Sequence, residues 1–449
     1  MEEKSNRLYA DMPPVRLFFH AAIPGVVSMF AMSIYSIIEG ILVGQFVGGD
    51  AFAAMNLAMP LVLINFALAD MMGVGASIPI SIALGEKDEE RASNLFSCAV
   101  ILIISAAILA GTVMFLFAPH IIRAMGAEEQ IVELAVVYLR IAAAMGPFVT
   151  LVFAMDNFLR ISGFVRGSML LNLFMSCLQI GLLVLFVAVL EMGLTGSALA
   201  INIGMGVCAL IALIPFIRGK SILKFRRPRF SLQMLRQIIA CGSPTFLNNM
   251  AGRLFSLMMN VLLMRLGGTL AVSTFSVLMY CSDLVMPMLY GLCDSMQPAI
   301  GYNWGAKAYD RVKSLAKCVF SSTAAVSAFA FLLMFFLPRQ LASLFVDQAD
   351  TALLELSSHA LRLFSIEFFF WWFGFAAQSF YNAIQKPKNA AILTISTALV
   401  FPLLMVILLW PLGLDGLWLN QAATYVPVGI IAFVMLRRTQ KDLAGQIKA

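Results

Sequence analysis

Seven ionisable side chains lie inside long apolar runs of this sequence: Glu39, Asp70, Asp156, Arg253, Asp283, Asp294 and Glu367. A charge at mid-bilayer costs roughly 2.5–3.5 kcal/mol on the insertion scale, so each needs a use or a partner. A carboxylate held away from water can take up and release a proton or a small cation, which is coupling chemistry rather than bond-making chemistry. Glu39, in Ile37-Ile38-Glu39-Gly40-Ile41-Leu42, suits such a site, and a structural hydrogen bond is the alternative. Asp156 stands four residues before Arg160. A helical ion pair at that spacing competes with a functional role. Arg253 either neutralises a neighbouring acid or binds a substrate. The 28 methionines and the aromatic run 368–373 would suit an adaptable pocket for apolar cations. Packing and lipid contact would use them equally well.

The elements that hold these residues are membrane helices. The chain is 61% hydrophobic and 12% charged, with a mean hydropathy of +0.91. A soluble domain carries about 25% charged residues. Charge-free runs cover 96–118, 167–190, 192–217, 389–414 and 416–436. Each is near or above the roughly 20 residues that a spanning helix needs. Twelve spans are predicted. Six lie near 17–46, 51–84, 94–118, 131–159, 166–189 and 194–217, with a tight turn at Gly48-Gly49-Asp50. Six more lie near 237–266, 270–302, 316–337, 355–382, 389–411 and 415–436. The fourth and tenth are the least regular, being interrupted by Arg140 and Asp156 and by Arg362 and Glu367.

The second six repeat the first. The pattern Gly-x-Lys-x3-Arg-x3-Leu occurs at Gly85, Lys87, Arg91 and Leu95, and again 220 positions later at Gly305, Lys307, Arg311 and Leu315. Pro24 matches Pro244, and Gly193-x-x-Gly196 matches Gly413-x-x-Gly416, at the same offset. Tandem copies of this size are typical of secondary transporters, whereas solenoids repeat every 20–50 residues or so.

Lysine and arginine gather in alternate connections and at both ends. Only Arg123, Arg140, Arg253, Arg265, Arg339 and Arg362 of the 30 basic residues fall elsewhere. The positive-inside rule then puts both termini in the cytoplasm, which requires an even number of spans. With six spans per copy, the two lobes run in the same direction and are related by an axis along the membrane normal. The expected organisation is a cytoplasmic lead at 1–16, an N-lobe at 17–217, a basic cytoplasmic linker at 218–236, a C-lobe at 237–437 and a cytoplasmic tail at 438–449. The linker reads as a topology anchor beside anionic lipid, not as a nucleic-acid site, since no binding module surrounds it.

Several classes are excluded. The seven cysteines are odd in number, lack a Cys-x-x-Cys pair and sit mostly in apolar runs, so they read as packing residues. Three scattered histidines offer no metal cluster and no nucleophile–base pair, so neither a metal site nor an enzyme is expected. No Gly-x4-Gly-Lys-Ser/Thr loop is present, so this chain does not drive transport with ATP, and no cofactor is expected.

The segment Gln297-Pro298-x3-Tyr302-Asn303-x-Gly305-Ala306-Lys307-x-Tyr309-Asp310-Arg311-Val312-Lys313 resembles the loop after helix 8 of the MATE (multidrug and toxin extrusion) transporters, in the MepA-like branch. Three weaker matches agree: Glu39-x4-Gly44, Asn157-Phe158-Leu159-Arg160, and Gly193-Leu194-Thr195-Gly196-Ser197-Ala198-Leu199-Ala200. The resemblance covers about 15–440. It departs where the family's helix 1 aspartate is Glu39, and where the helix 5 Asn-x3-Asp pattern is Asn172-x3-Ser176. The acid found in helix 10 of some members is also out of place, with Glu367 a turn earlier.

The resemblance implies an all-α integral membrane protein with twelve transmembrane helices in two six-helix lobes. The lobes would rock to export lipophilic, mainly cationic compounds by antiport with H+ or Na+. Glu39 and Asn172 carry over as cation-coupling residues, and Asp156 is the replacement acid suggested by the sequence. Asp70, Asp283, Asp294, Glu367 and Arg253 are the candidate substrate-cleft residues. A monomer in a bacterial inner membrane, surrounded by lipid, is expected. The main alternative is a lipid-linked oligosaccharide flippase of the same superfamily. That would favour a cationic cleft, whereas the embedded charges here are mainly acidic.

Overall fold

The computed structural model describes residues 8–47, 49–125, 128–346 and 350–448. Among these no strand occurs, and nearly everything is helix. Backbone polar groups in hydrocarbon must be satisfied internally, and helices do this within one segment. The N-terminal helices are α1 (Pro14–Phe46), α2 (Gly49–Gly85), α3 (Glu89–Ala124), α4 (Glu129–Ile161), α5 (Val165–Leu183) and α6 (Gly193–Ile217). A π-helical stretch, Val184–Val189, extends α5. The later helices are α7 (Leu232–Asp283), α8 (Met286–Asp294), α9 (Gln297–Gly305), α10 (Tyr309–Phe336), α11 (Pro338–Ala342), α12 (Thr351–Ala383), α13 (Pro387–Ile395), α14 (Phe401–Leu409), α15 (Leu414–Trp418) and α16 (Asn420–Lys448).

Eleven helical stretches among the described residues are long and apolar enough to cross a membrane. One of them, α7, has 52 residues and turns sharply at Gly268, where φ is 63° and ψ is −155°. It therefore holds the seventh span and the start of the eighth, which brings the count to twelve. Large apolar side chains such as Leu109, Leu116 and Ile407 stand well exposed, as expected where the solvent is lipid.

The expected spans need three corrections. The eighth, read as one helix over 270–302, is broken around Leu284-Val285 and Ser295-Met296. The pieces restart with Pro287 and Pro298 in their first turns, where a missing N–H costs nothing. The fourth and tenth spans are unbroken 33-residue helices, α4 and α12, so their charges do not interrupt them. Of the turn read at 48–50, residue 48 lies outside the described residues, and α2 begins at Gly49. Residues 1–7 of the lead also lie outside them.

The chain forms two compact units. The first comprises 1–12 and 27–246, and the second 13–26 and 247–449. In the first, α4 is central and packs on α2, α3 and α6, α2 packs on α3, and α5 packs on α6. In the second, α12 is central and packs on α10 and α16. The start of α1 belongs to the second unit, and the start of α7 to the first. Glycines allow both of these helix starts to approach closely. A Cβ on Gly242 of α7 would lie 1.8 Å from the Met71 carbonyl oxygen of α2. One on Gly75 of α2 would lie 2.2 Å from the Ile238 carbonyl oxygen. In the second unit, a Cβ on Gly25 of α1 would lie 2.7 Å from the Gly291 carbonyl oxygen of α8.

The repeat is written in the backbone as well. Lys87 and Lys307 both take left-handed conformations, with φ of 63° and 55°. Gly193 and Gly413 do likewise at 60° and 59°. After the first lysine, the Asp88 carboxylate caps α3 by accepting from the Arg91 N–H at 2.9 Å. The corresponding Ala308 makes no side-chain cap.

Candidate functional site

In the first unit, α1 holds Glu39 in a site made of hydroxyl groups. Glu39 is 6% exposed. Ser197 of α6 donates its Oγ–H to Glu39 Oε1 at 3.2 Å. Tyr35 lies one turn earlier on α1, and its buried hydroxyl sits beside Glu39 with no other partner. Tyr138 of α4 is also within electrostatic reach of the carboxylate. Among the described residues no basic side chain pairs with Glu39. Helical spacing gives Tyr35 and Glu39 a common face. Small residues around Ser197, such as Ala198, let α6 approach.

Asp156 keeps different company. Its carboxylate meets the Arg160 guanidinium at 2.6 Å, one helical turn on along α4. The same carboxylate accepts from Asn172 Nδ2 at 2.9 Å and from the Ser168 hydroxyl, both on α5. Arg160 Nε in turn donates to Ser168 Oγ at 3.1 Å. The Tyr9 hydroxyl donates to the Arg160 carbonyl oxygen, and burial pushes that phenol well above its ordinary range. Asp156 and Asn172 are thus brought together, in a closed network that already contains a cation. Among the described residues no hydrogen bond joins Glu39 to that network.

The remaining acids fall elsewhere. Asp70, half-buried on α2, has partners of its own. In the second unit, Asp294 accepts from Gln297 Nε2 at 2.9 Å, and the same nitrogen reaches Ser379 Oγ at 3.1 Å. Asp283 and Arg253 are both exposed and attract one another. Glu367 is 3% exposed and sits on α12 in the second unit's core, among Phe364, Phe368 and Trp371.

Next to Glu367 is a cavity of about 150 Å³ within the second unit. Trp371 and Phe375 stack at 4.7 Å, Tyr290 meets Phe375 edge-on at 4.8 Å, and Tyr425 closes on Trp371 at 6.4 Å. Asn248, Gln378 and Gln421 add polar atoms, and the buried Gln421 Oε1 has no hydrogen-bond partner. Glu367 is within electrostatic reach of Tyr425, as are Asp283 and Asp294 of Tyr290. The cavity is therefore lined by aromatic faces and amides, with carboxylates within electrostatic reach of its two tyrosines. That arrangement suits an apolar cation, which aromatic faces attract.

This cavity has no continuous trace in the sequence. Of the run 368–373 only Trp371 lines it. The signal on α12 was spacing: Glu367, Trp371, Phe375 and Gln378 share one helical face. Tyr290, Tyr425, Asn248 and Gln421 come from three other helices and carry no such signal.

Known proteins resemble the whole chain. The MatE family model matches it twice, over 24–185 and 244–408, at the 220-residue offset of the internal repeat. The multidrug export protein MepA of Staphylococcus aureus (strain N315) is 24% identical over 411 residues, covering 90% of both chains. A crystal structure of a MATE protein in complex with MaL6 superposes with a TM-score of 0.93 at 22% identity, covering 99% of each chain. An outward-facing multidrug resistance MATE family transporter of the MOP superfamily gives 0.90 at 23% identity, over 98% of each. The two matches together cover well over half of the chain, and so it belongs to the MatE family of membrane transporters.

Proposed function

We propose that this protein exports lipophilic, mainly cationic compounds by antiport with H+ or Na+, through rocking of its two six-helix lobes. The observation that carries this reading is Glu39, a buried carboxylate surrounded by hydroxyls and without a basic partner. It is free to exchange a proton or a small cation, whereas Asp156 already holds Arg160. Asn172 acts with Asp156 and Arg160 to tie the end of α4 to α5. The aromatic cavity supports cationic cargo, with Trp371 and Tyr425 supplying the faces and Glu367, behind Tyr425, a nearby negative charge. The MepA relative's name as a multidrug export protein agrees with that breadth.

Uptake of the external ion at Glu39 would neutralise the acid and alter the packing of α1 against α4 and α6. One charge crossing the membrane is worth about 2.3 kcal/mol per 100 mV, which is useful drive. The protein acts as a monomer in the bacterial cell membrane, with both termini in the cytoplasm. The test is ethidium efflux from cells, wild type against Glu39→Gln, with proton and Na+ gradients imposed separately. Efflux driven by one gradient and lost in the variant at equal expression supports the reading. Full efflux in Glu39→Gln would remove Glu39 as the coupling acid.

A further inference from the structure

The stretch joining α6 to α7 is pinned in place. Ser221, Ile222 and Leu223 are buried, and Ser221 Oγ donates to Ser162 Oγ at 2.9 Å. The chain then runs beside the first turns of α3. The Lys224 N–H donates to Ser93 Oγ at 3.3 Å, and the Arg226 N–H to Ser97 Oγ at 2.9 Å. The Arg229 N–H donates to Asn94 Oδ1 at 2.8 Å, while Asn94 Nδ2 donates back to the Arg229 carbonyl at 3.2 Å. Phe225 lies against Phe96 at 4.9 Å. Three side chains on helix α3, rather than a sheet or a turn, thus fix the backbone of the segment.

The cations on this fixed backbone face outward. Arg218, Lys220 and Arg227 are exposed, and among the described residues their side chains make no hydrogen bond or ion pair. Arg226 and Arg229 meet Glu90, at 3.5 and 3.9 Å. No aspartate or glutamate occurs anywhere from 192 to 282. Between the cations stand exposed apolar side chains: Phe225 at 45% and Phe230 at 52%. Ile217 and Leu232, at the ends of α6 and α7, are exposed too. Since those helices leave the membrane here, the segment sits where lipid meets water.

A basic stretch that served only as a topology signal would need neither a fixed backbone nor outward aromatics. We propose that residues 218–230 form a rigid docking surface for anionic phospholipid headgroups. Arg218, Lys220 and Arg227 would hold the phosphate groups, and Phe225 and Phe230 would enter the interfacial layer. Because the segment is bonded to α3, a lipid held there is held against the first unit. The surface does not depend on the nature of the cargo. Each cation near an anionic surface strengthens attachment about fivefold, an effect that salt screens.

The test uses the full chain in phosphatidylcholine vesicles containing a minor fraction of photoactivatable phosphatidylglycerol or, in parallel, photoactivatable phosphatidylcholine. Adducts are mapped by mass spectrometry. The expected result is labelling of 217–232 by phosphatidylglycerol several-fold above phosphatidylcholine, weakened by salt. In Arg218→Gln/Lys220→Gln/Arg227→Gln it falls to the phosphatidylcholine level. These side chains are exposed and, among the described residues, make no hydrogen bond or ion pair, so the variant should unfold near the wild-type temperature. Glu90→Gln releases Arg226 and Arg229 and should raise the phosphatidylglycerol labelling. Equal labelling by the two lipids would overturn the proposal, as would an unchanged ratio in the triple variant. Loss of the preference on adding inorganic phosphate, at matched ionic strength, would also overturn it and point to a soluble phosphate ligand instead.

Discussion

At Glu39 the carboxylate has hydroxyl neighbours, and at Asp156 it has a guanidinium. The two acids should therefore respond differently to neutralisation. Asp156→Asn leaves Arg160, whose side chain is only 6% exposed, without its counter-charge. Breaking a buried pair from one side costs about 3–5 kcal/mol. We expect Asp156→Asn to lower the unfolding temperature of the purified protein clearly, and added Arg160→Met to restore part of the loss. Glu39→Gln keeps a group of similar size that can still accept from Ser197, so it should unfold near the wild-type temperature. An equal drop in both single variants would contradict this assignment. In the second unit, Trp371→Ala removes the face that stacks on Phe375. A desolvated cation–aromatic contact is worth about 1–2 kcal/mol, so ethidium should bind roughly 5–30-fold more weakly. Trp371→Phe should keep most of the affinity. Fluorescence titration of the purified variants reads both numbers, and unchanged binding in Trp371→Ala would move the cargo site elsewhere.

Among the helices, glycine positions separate tight crossings from open faces. Gly242 meets the Met71 carbonyl so closely that an added methyl group forces α7 away from α2. Gly40, in α1, has nothing within 4 Å of an added Cβ. We expect Gly242→Ala to destabilise by about 1–3 kcal/mol and Gly40→Ala to be neutral or stabilising by up to about 1 kcal/mol. Thermal unfolding of the two variants, compared side by side, checks the contrast. The sequence makes no such distinction, because both glycines sit in apolar runs. The break of the eighth span was hidden for a similar reason. Pro24, Pro60 and Pro79 lie inside unbroken helices, so Pro287 and Pro298 gave no special warning. Arg140 and Asp156 suggested an interrupted span because a sequence displays charges without their partners. In the fold, Asp156 is paired and Arg140 lies over the Phe115 ring at 5.4 Å. What could be read directly was periodicity: the two copies and the twelve spans. The aromatic cavity could not be read, because α7, α8, α12, α14 and α16 all line it and only packing brings them together.

Across the whole molecule, the distribution of lysine and arginine sets the expected orientation. Fusing a fluorescent protein that matures only in the cytoplasm to either end should give bright cells in both cases. A dark fusion at one end would require an odd number of spans. The central claim is that Glu39 exchanges the coupling ion as cargo binds, and ion release from the purified protein tests it most directly. Ethidium is added to wild type and to Glu39→Gln in weakly buffered detergent solution, and released protons and Na+ are recorded together with ethidium binding. The account predicts release of one of the two ions by the wild type. In Glu39→Gln it predicts ethidium binding without release. Equal release from both proteins would contradict the claim.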